Sequence, residues 1–237
     1  MRLDKFLSST GVGSRTEIKK IIKAGGVTVN SSTCNRAETK IDPESDTVCL
    51  WGEVIKYREF IYLMMNKPKG YVSATFDNRL PTVLDLVPEE YLHFEPFPAG
   101  RLDIDTEGLL LLTNDGQLAH NLLSPKKHIP KTYFARIKGC VTESDIAAFK
   151  QGLIIDGDIK TKPAILEIIS ADEISEINLT ITEGKFHQVK RMFEAVGKKV
   201  VYLKRTKMNA LCLDETLGLG EVRELTEEEL HLLRKGF

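Results

Sequence analysis

Apolar residues recur at helical spacing where the chain begins: Leu3, Phe6 and Leu7, then Ile18, Ile21 and Ile22. Ahead of the second group stands Ser14-Arg15-Thr16-Glu17, a capping box with a hydroxyl at the N-cap and a carboxylate at N3. The stripe leaves Arg15, Lys19 and Lys23 on other parts of the helix surface. Gly25-Gly26 ends the helix by tolerating positive φ, the β-branched Val27-Thr28-Val29 predicts a strand, and Asn30-Ser31-Ser32 turns the chain. Residues 48–51 and 54–57 flank Gly52-Glu53 as a hairpin. These elements predict a small unit over residues 1–59, with Tyr57-Arg58-Glu59 as the linker.

From Phe60 onward the pattern is mixed and strand-rich. The apolar run 61–65 is stopped by Lys67-Pro68-Lys69-Gly70, a turn by composition. Residues 109–112, four leucines between Gly108 and Asn114-Asp115-Gly116, read as a buried strand entering a tight turn. Strands are predicted over 131–138, 164–169, 177–182 and 200–203. Helices are predicted over 142–152, over 187–196 (closed by Gly197), and from the capping box Thr226-Glu227-Glu228-Glu229 through Leu233. Helices and strands are interspersed without a regular βαβ alternation, so residues 60–237 form an α+β domain.

Composition adds limits. A chain of 237 residues with 42% hydrophobic and 28% charged residues can bury a core without disulfides or metals. Its apolar runs are too short to cross a bilayer, and its N-terminus lacks the apolar stretch of a signal peptide. Neither a membrane nor a secretory context is expected. Cys34, Cys49, Cys140 and Cys212 form no Cys-x-x-Cys pair, which suits reduced thiols in a cytoplasm, acting as small buried hydrophobes.

The net charge is −1, yet the charge is segregated. Lys126, Lys127, Lys131, Arg136 and Lys138 occur together without an acid. Lys185, Lys190, Arg191, Lys198, Lys199, Lys204, Arg205 and Lys207 face only Glu194. Arg2, Lys5, Arg15, Lys19, Lys20 and Lys23 share the first thirty residues with Asp4 and Glu17. Local basic surfaces in a near-neutral chain point to a polyanion; solvated faces without a partner are the alternative.

Nucleotide-binding glycine signatures and a Gly-x-Ser-x-Gly elbow are missing, and the five histidines lack metal-ligand spacing. No metal or cofactor is therefore expected. One run stands out: Gly100-Arg101-Leu102-Asp103-Ile104-Asp105-Thr106-Glu107-Gly108, leading into the leucine strand. A carboxylate at the edge of an apolar wall and beside an arginine is placed to be partly desolvated and held by a cation. On this ground alone Asp103 and Asp105 qualify equally, and either can be a loop residue bonding its own backbone.

The run from Gly100 to Gly116 resembles the central motif of the pseudouridine synthases, in the branch typified by the ribosomal small-subunit enzyme and its large-subunit relatives. Lys131-Thr132-Tyr133 matches the family's Lys-x-Tyr motif. A third motif is matched by Glu183-Gly184-Lys185-Phe186-His187-Gln188-Val189-Lys190-Arg191-Met192-Phe193. Residues 2–7 and 25–30 resemble an S4 RNA-binding module, so almost the whole chain is covered.

The resemblance implies isomerisation of a uridine in ribosomal RNA without a cofactor. It assigns Asp103 as the catalytic carboxylate, Tyr133 as the residue stacking on the base, and a cation of the third motif as the partner of Asp103. Where many relatives have Arg-Arg this chain has Lys190-Arg191; Lys190 aligns with the ion-pair position, with Arg191 the alternative and an RNA contact. The lysine points to the small-subunit type and 16S rRNA, with 23S rRNA as runner-up. Arg101 is expected to contact RNA and help displace the target base. Arg2, Lys5, Arg15, Lys19, Lys23, Lys126, Lys127 and Lys131 are expected to meet phosphates. The implied partner is ribosomal RNA or a small-subunit assembly intermediate, and the implied state a cytoplasmic monomer. A non-catalytic assembly factor and an N-glycosidase are the rival classes.

Overall fold

Leu3, Phe6 and Leu7 share one face of α1 (Leu3–Ser9), where they meet Ile18 and Ile22 of α2 (Arg15–Lys23) around a core completed by Val27, Ile41 and Val48. The capping box at the start of α2 forms: Ser14 Oγ accepts from Glu17 N, and the Glu17 carboxylate accepts from Ser14 N at 2.8 Å. A short sheet follows, in the order β2-β1-β3-β4, from β1 (Val27–Val29), β2 (Ser32–Thr33), β3 (Val48–Leu50) and β4 (Glu53–Val54). The last strand stops at Val54 rather than running to residue 57. Ile55 still donates its N–H to Val48 O at 2.8 Å, and Ile55 and Tyr57 pack on the helix core, with the Tyr57 ring stacked on Phe6 at 5.4 Å. Arg15, Lys19 and Lys23 stay exposed on α2, as does Lys5 on α1, while the exposed Arg2 is gripped bidentately by Asp4 at 2.8 and 3.0 Å.

The structure is a computed structural model that describes residues 1–235. The chain divides into two units: Met1–Ile61 with Pro88–Pro96, which adds α3 (Glu89–Leu92), and Tyr62–Val87 with Phe97 onward.

The second unit is built on one large sheet. Its strands are β5 (Tyr62–Lys67), β6 (Phe97–Pro98), β7 (Glu107–Thr113), β8 (Lys131–Lys138), β11 (Ile165–Ser170), β12 (Ile174–Ile181), β13 (Lys199–Met208), β14 (Leu211–Cys212) and β15 (Val222–Glu224). The order is β11-β12-β8-β13-β7-β5-β15, with β6 on β7 and β14 on β13. A separate hairpin joins β9 (Ile154–Ile155) and β10 (Ile159–Lys160). The helices are α4 (Gly116–Leu123), α5 (Glu143–Gln151), α6 (Gln188–Ala195) and α7 (Glu227–Arg234). The mixture is α+β, as the interspersed pattern predicted, and the sheet is mainly antiparallel.

One junction differs from the rest. β13 and β7 pair in parallel through Lys204 with Glu107 and Arg205 with Gly108. Gly108 has φ +102°, and a Cβ there would lie 2.2 Å from the carbonyl oxygen of Arg205. Only glycine lets the two backbones approach this closely. The junction joins two antiparallel blocks, and Asp103 lies just upstream of it.

Three local expectations change. Asn114-Asp115-Gly116 is a helix start, not a tight turn: Asp115 caps α4 by accepting from Leu118 N at 2.9 Å. The same residues suit either role, and the apolar Leu118, Ala119 and Leu122 decide by burying against Leu109 and Leu111. β13 runs ten residues rather than four, because β8 and β7 pair with its polar half from either side. The cysteines are not buried hydrophobes: Cys34 and Cys49 are half-buried and Cys140 and Cys212 exposed, all four as free thiols. Among the described residues no helix is long and apolar enough to cross a membrane.

Candidate active site

The loop 100–106, between β6 and β7, is fixed through its backbone. Lys67 ends β5 fully buried, and its ammonium donates to the carbonyls of Pro68 (3.0 Å), Asp103 (3.1 Å) and Thr106 (3.0 Å). Ser73 Oγ donates to Leu102 O and accepts from Leu102 N, while Gly70 N donates to Ile104 O at 2.7 Å. Burial lowers the Lys67 pKa to about 8, against the opposing pull of Asp105, Asp103 and Glu107. Composition made Lys67 part of a turn, so this clamp was missed. The available signal was a lysine closing an apolar strand.

The clamp presents Asp103, half-buried, to α6. Lys190 Nζ lies 3.3 Å from Asp103 Oδ2 and 2.6 Å from Asp105 Oδ1, so one ammonium spans both carboxylates. Burial alone would lower the Lys190 pKa; the Asp105 hydrogen bond and the charges of Asp103 and Asp105 outweigh it and raise the value. Burial likewise opposes ionisation of Asp105, but Lys190 holds its carboxyl below the usual range.

Arg191 points elsewhere. It pairs with Asp156 in the β9–β10 turn and donates to Phe186 O at 2.7 Å. Consecutive helical residues diverge by about 100°, so Lys190 and Arg191 cannot both face Asp103. The expected RNA contact by Arg191 gives way to an intramolecular anchor.

Tyr133 on β8 is 8% exposed and lines the same recess. A cavity of about 90 Å³ gathers Asp103, Thr106, Tyr133, Ile181, Val189 and Leu203, with Lys190 and Arg101 also on its wall. Beside it lies a wider cleft of about 1070 Å³ that shares Asp103, Arg101 and Tyr133. Arg101 is exposed, and Lys126 and Lys127 stand exposed after α4.

Lys131 is a correction. Strand alternation turns it inward with Tyr133; it is nine-tenths buried, donates to Ile129 O, and has its pKa lowered to about 8 by burial and then by the charge of Arg205. Its ammonium borders the wide cleft rather than the outer surface. His187, absent from the expected site, brings Nε2 to 3.7 Å from Asp103 Oδ1. Among the described residues no group of three or more His, Cys, Asp or Glu could hold a metal ion.

The arrangement offers a carboxylate, a cation bound to it and an aromatic ring in one recess. That set suits attack on, or proton transfer at, a sugar while a planar base is held nearby.

Comparison with known proteins gives independent findings. The family described as RNA pseudouridylate synthase matches residues 61–195, and the S4 domain matches residues 1–48. An RNA pseudouridine synthase of Bacillus subtilis is 56% identical over 236 residues, 99% of each chain. The ribosomal small subunit pseudouridine synthase A of Escherichia coli K12 is 41% identical over 231 residues, 97% of this chain and 98% of that one. A crystal structure of a pseudouridylate synthase superposes with a TM-score of 0.69 at 40% identity, covering 98% of this chain and 99% of the other.

Proposed function

The chain belongs to the RNA pseudouridylate synthase family, with an S4 domain ahead of the catalytic one, and from that premise we propose that it converts a uridine of small-subunit ribosomal RNA to pseudouridine. Its relatives named for the ribosomal small subunit support the substrate class. The observation that carries the chemistry is the Asp103–Lys190 ion pair beside Tyr133 in one recess.

Isomerisation conserves the atoms of the uridine. The C1′–N1 bond breaks, the base turns, a C1′–C5 bond forms, C5 loses a proton and N1 gains one. The balance calls for no redox equivalent or energy donor. Asp103 supplies the carboxylate at the ribose, Lys190 pairs with it at 3.3 Å, and Tyr133 holds the detached uracil by stacking. Arg101 on the rim helps hold the nucleotide out of its stack, because the uridine must leave a helix or loop to reach so narrow a cavity. The exposed cations of the S4 unit grip folded RNA through phosphates.

The test is release of the C5 proton from labelled uridine in ribosomal RNA. Wild-type protein should release it without free uracil, and Asp103→Asn should lose the activity by on the order of 10⁴-fold. Free uracil would indicate an N-glycosidase, and tight binding without release a non-catalytic assembly factor. Pseudouridine mapping in cells with and without the chain then separates 16S from 23S rRNA.

A further inference from the structure

Phe186 is 73% exposed, an unusual position for a phenylalanine in a turn held this firmly. Its ring is stacked on the next side chain, His187, with centroids 3.8 Å apart and planes 19° from parallel. The turn beneath the pair is braced. Lys185 N donates to Gln188 Oε1 at 2.9 Å, Gln188 Nε2 donates to Glu183 Oε1 at 2.8 Å, and Arg191, anchored on Asp156, donates to Phe186 O at 2.7 Å. His187 itself is held at φ 48°, ψ 31°, a left-handed conformation that non-glycine residues adopt seldom. A rigid backbone thus displays an aromatic ring to water.

Its location gives that ring a use. Phe186 and His187 line the wide cleft with Arg101, Asp103 and Tyr133. His187 Nε2 is 3.7 Å from the Asp103 carboxylate, and the Phe186 ring is stacked on that of His187. His187 thus connects the carboxylate that would address the ribose with an exposed ring in the same cleft. Arg101 on the same rim supplies positive charge for the backbone.

We propose that Phe186, backed by His187, is a stacking platform for an unpaired base next to the target uridine, and so selects uridines in loops or opened helices. A preorganised ring loses little conformational entropy on binding, and base–aromatic stacking is indifferent to base identity. Flanking unpairedness rather than flanking sequence is what this platform reads. The proposal rests on RNA being the substrate of the Asp103 recess.

The test uses hairpins tiled over small-subunit ribosomal RNA, each with an unpaired loop, and takes the tightest binder of the full-length protein. Affinity is read by fluorescence anisotropy. Phe186→Ala should weaken binding about 10-fold, within the range for removing one base–aromatic stack, and Phe186→Tyr should stay close to wild type. An abasic residue at one position beside the loop uridine should weaken wild-type binding similarly and cost the Phe186→Ala protein nothing more. Alanine binding within twofold of wild type, or losses that simply multiply, would overturn the platform. Because binding is read without turnover, an intact coupling with no C5-proton release defeats the isomerase reading alone. Proton release without coupling defeats the platform alone.

Discussion

Replacing Gly108 with alanine perturbs the one place where the two halves of the large sheet meet. An added Cβ would lie 2.2 Å from Arg205 O and 2.8 Å from Arg205 N, at a backbone φ of +102°. Neither neighbour is a flexible side-chain end, so β7 and β13 must separate by more than an ångström to restore ordinary contact. The backbone conformation alone costs about 1–3 kcal/mol for a residue with a side chain. Separation also weakens the two-residue parallel pairing and the bonds that straddle it, Arg205 Nε to Leu109 O at 2.8 Å and Tyr202 OH to Glu107 Oε2 at 2.8 Å. At about 0.5–1.5 kcal/mol each, the two side-chain bonds bring the total to about 2–6 kcal/mol.

For a unit of this size each kcal/mol moves the melting temperature by about 2–4 °C, so Gly108→Ala should melt about 4–24 °C lower. The same displacement moves Asp103 relative to Tyr133, and an error of about 1 Å at a reacting centre costs on the order of 100-fold in rate. Thermal unfolding followed by circular dichroism measures the first effect. Single-turnover C5-proton release, at a temperature where the variant is folded, measures the second. Gly116→Ala in the same motif is the control: nothing lies within 4 Å of its Cβ and it opens α4, so alanine should be neutral or stabilising by up to about 1 kcal/mol. If both variants melt within about 2 °C of wild type, the close-approach account of the junction is wrong.

Lys67 carries a pH dependence. Its folded pKa of about 8 lies below the ordinary 10.5, so between these values the unfolded chain holds more protons and stability rises with pH. The rise attributable to Lys67 reaches about 3 kcal/mol by pH 10.5 and should be missing in Lys67→Met; parallel urea-unfolding curves at pH 7.5, 9 and 10.5 would contradict it. Lys190→Ala should cut the saturating rate at least about 100-fold with modest loss of stability, whereas Arg191→Ala should lower the melting temperature more than the rate; equal rate losses would remove the distinction between the two cations. Combining Lys5→Ala, Arg15→Ala, Lys19→Ala and Lys23→Ala should weaken RNA binding, and the slope of log affinity against log salt should fall by about 0.7–0.9 for each phosphate that is no longer neutralised. An unchanged slope would place the RNA on another face.

Much of this protein was legible from its residues in order. Apolar periodicity marked α1 and α2, because burial on one face requires a fixed repeat whatever the partner is, and an unbroken apolar run marked the strand of leucines, which is buried throughout. Capping boxes marked the starts of α2 and α7, because the orphan amides of a helix are satisfied by residues close in sequence. The motif resemblance singled out Asp103, Tyr133 and the pair Lys190-Arg191. What depends on partners distant in the chain was not legible. The polar half of β13 has little strand character of its own and is extended only because β8 and β7 flank it. Asn114-Asp115-Gly116 serves a turn or a helix cap equally until burial of α4 chooses. Lys67 is a turn residue by composition and a clamp only once its ammonium meets carbonyls more than thirty residues away. The two candidate partners of Asp103 are adjacent in sequence, and only the rotation of α6 against the loop puts Lys190 on the carboxylate and sends Arg191 to Asp156. Local order fixes what each segment can become; long-range packing decides which of those options lowers the free energy, and with it which side chains meet at the site.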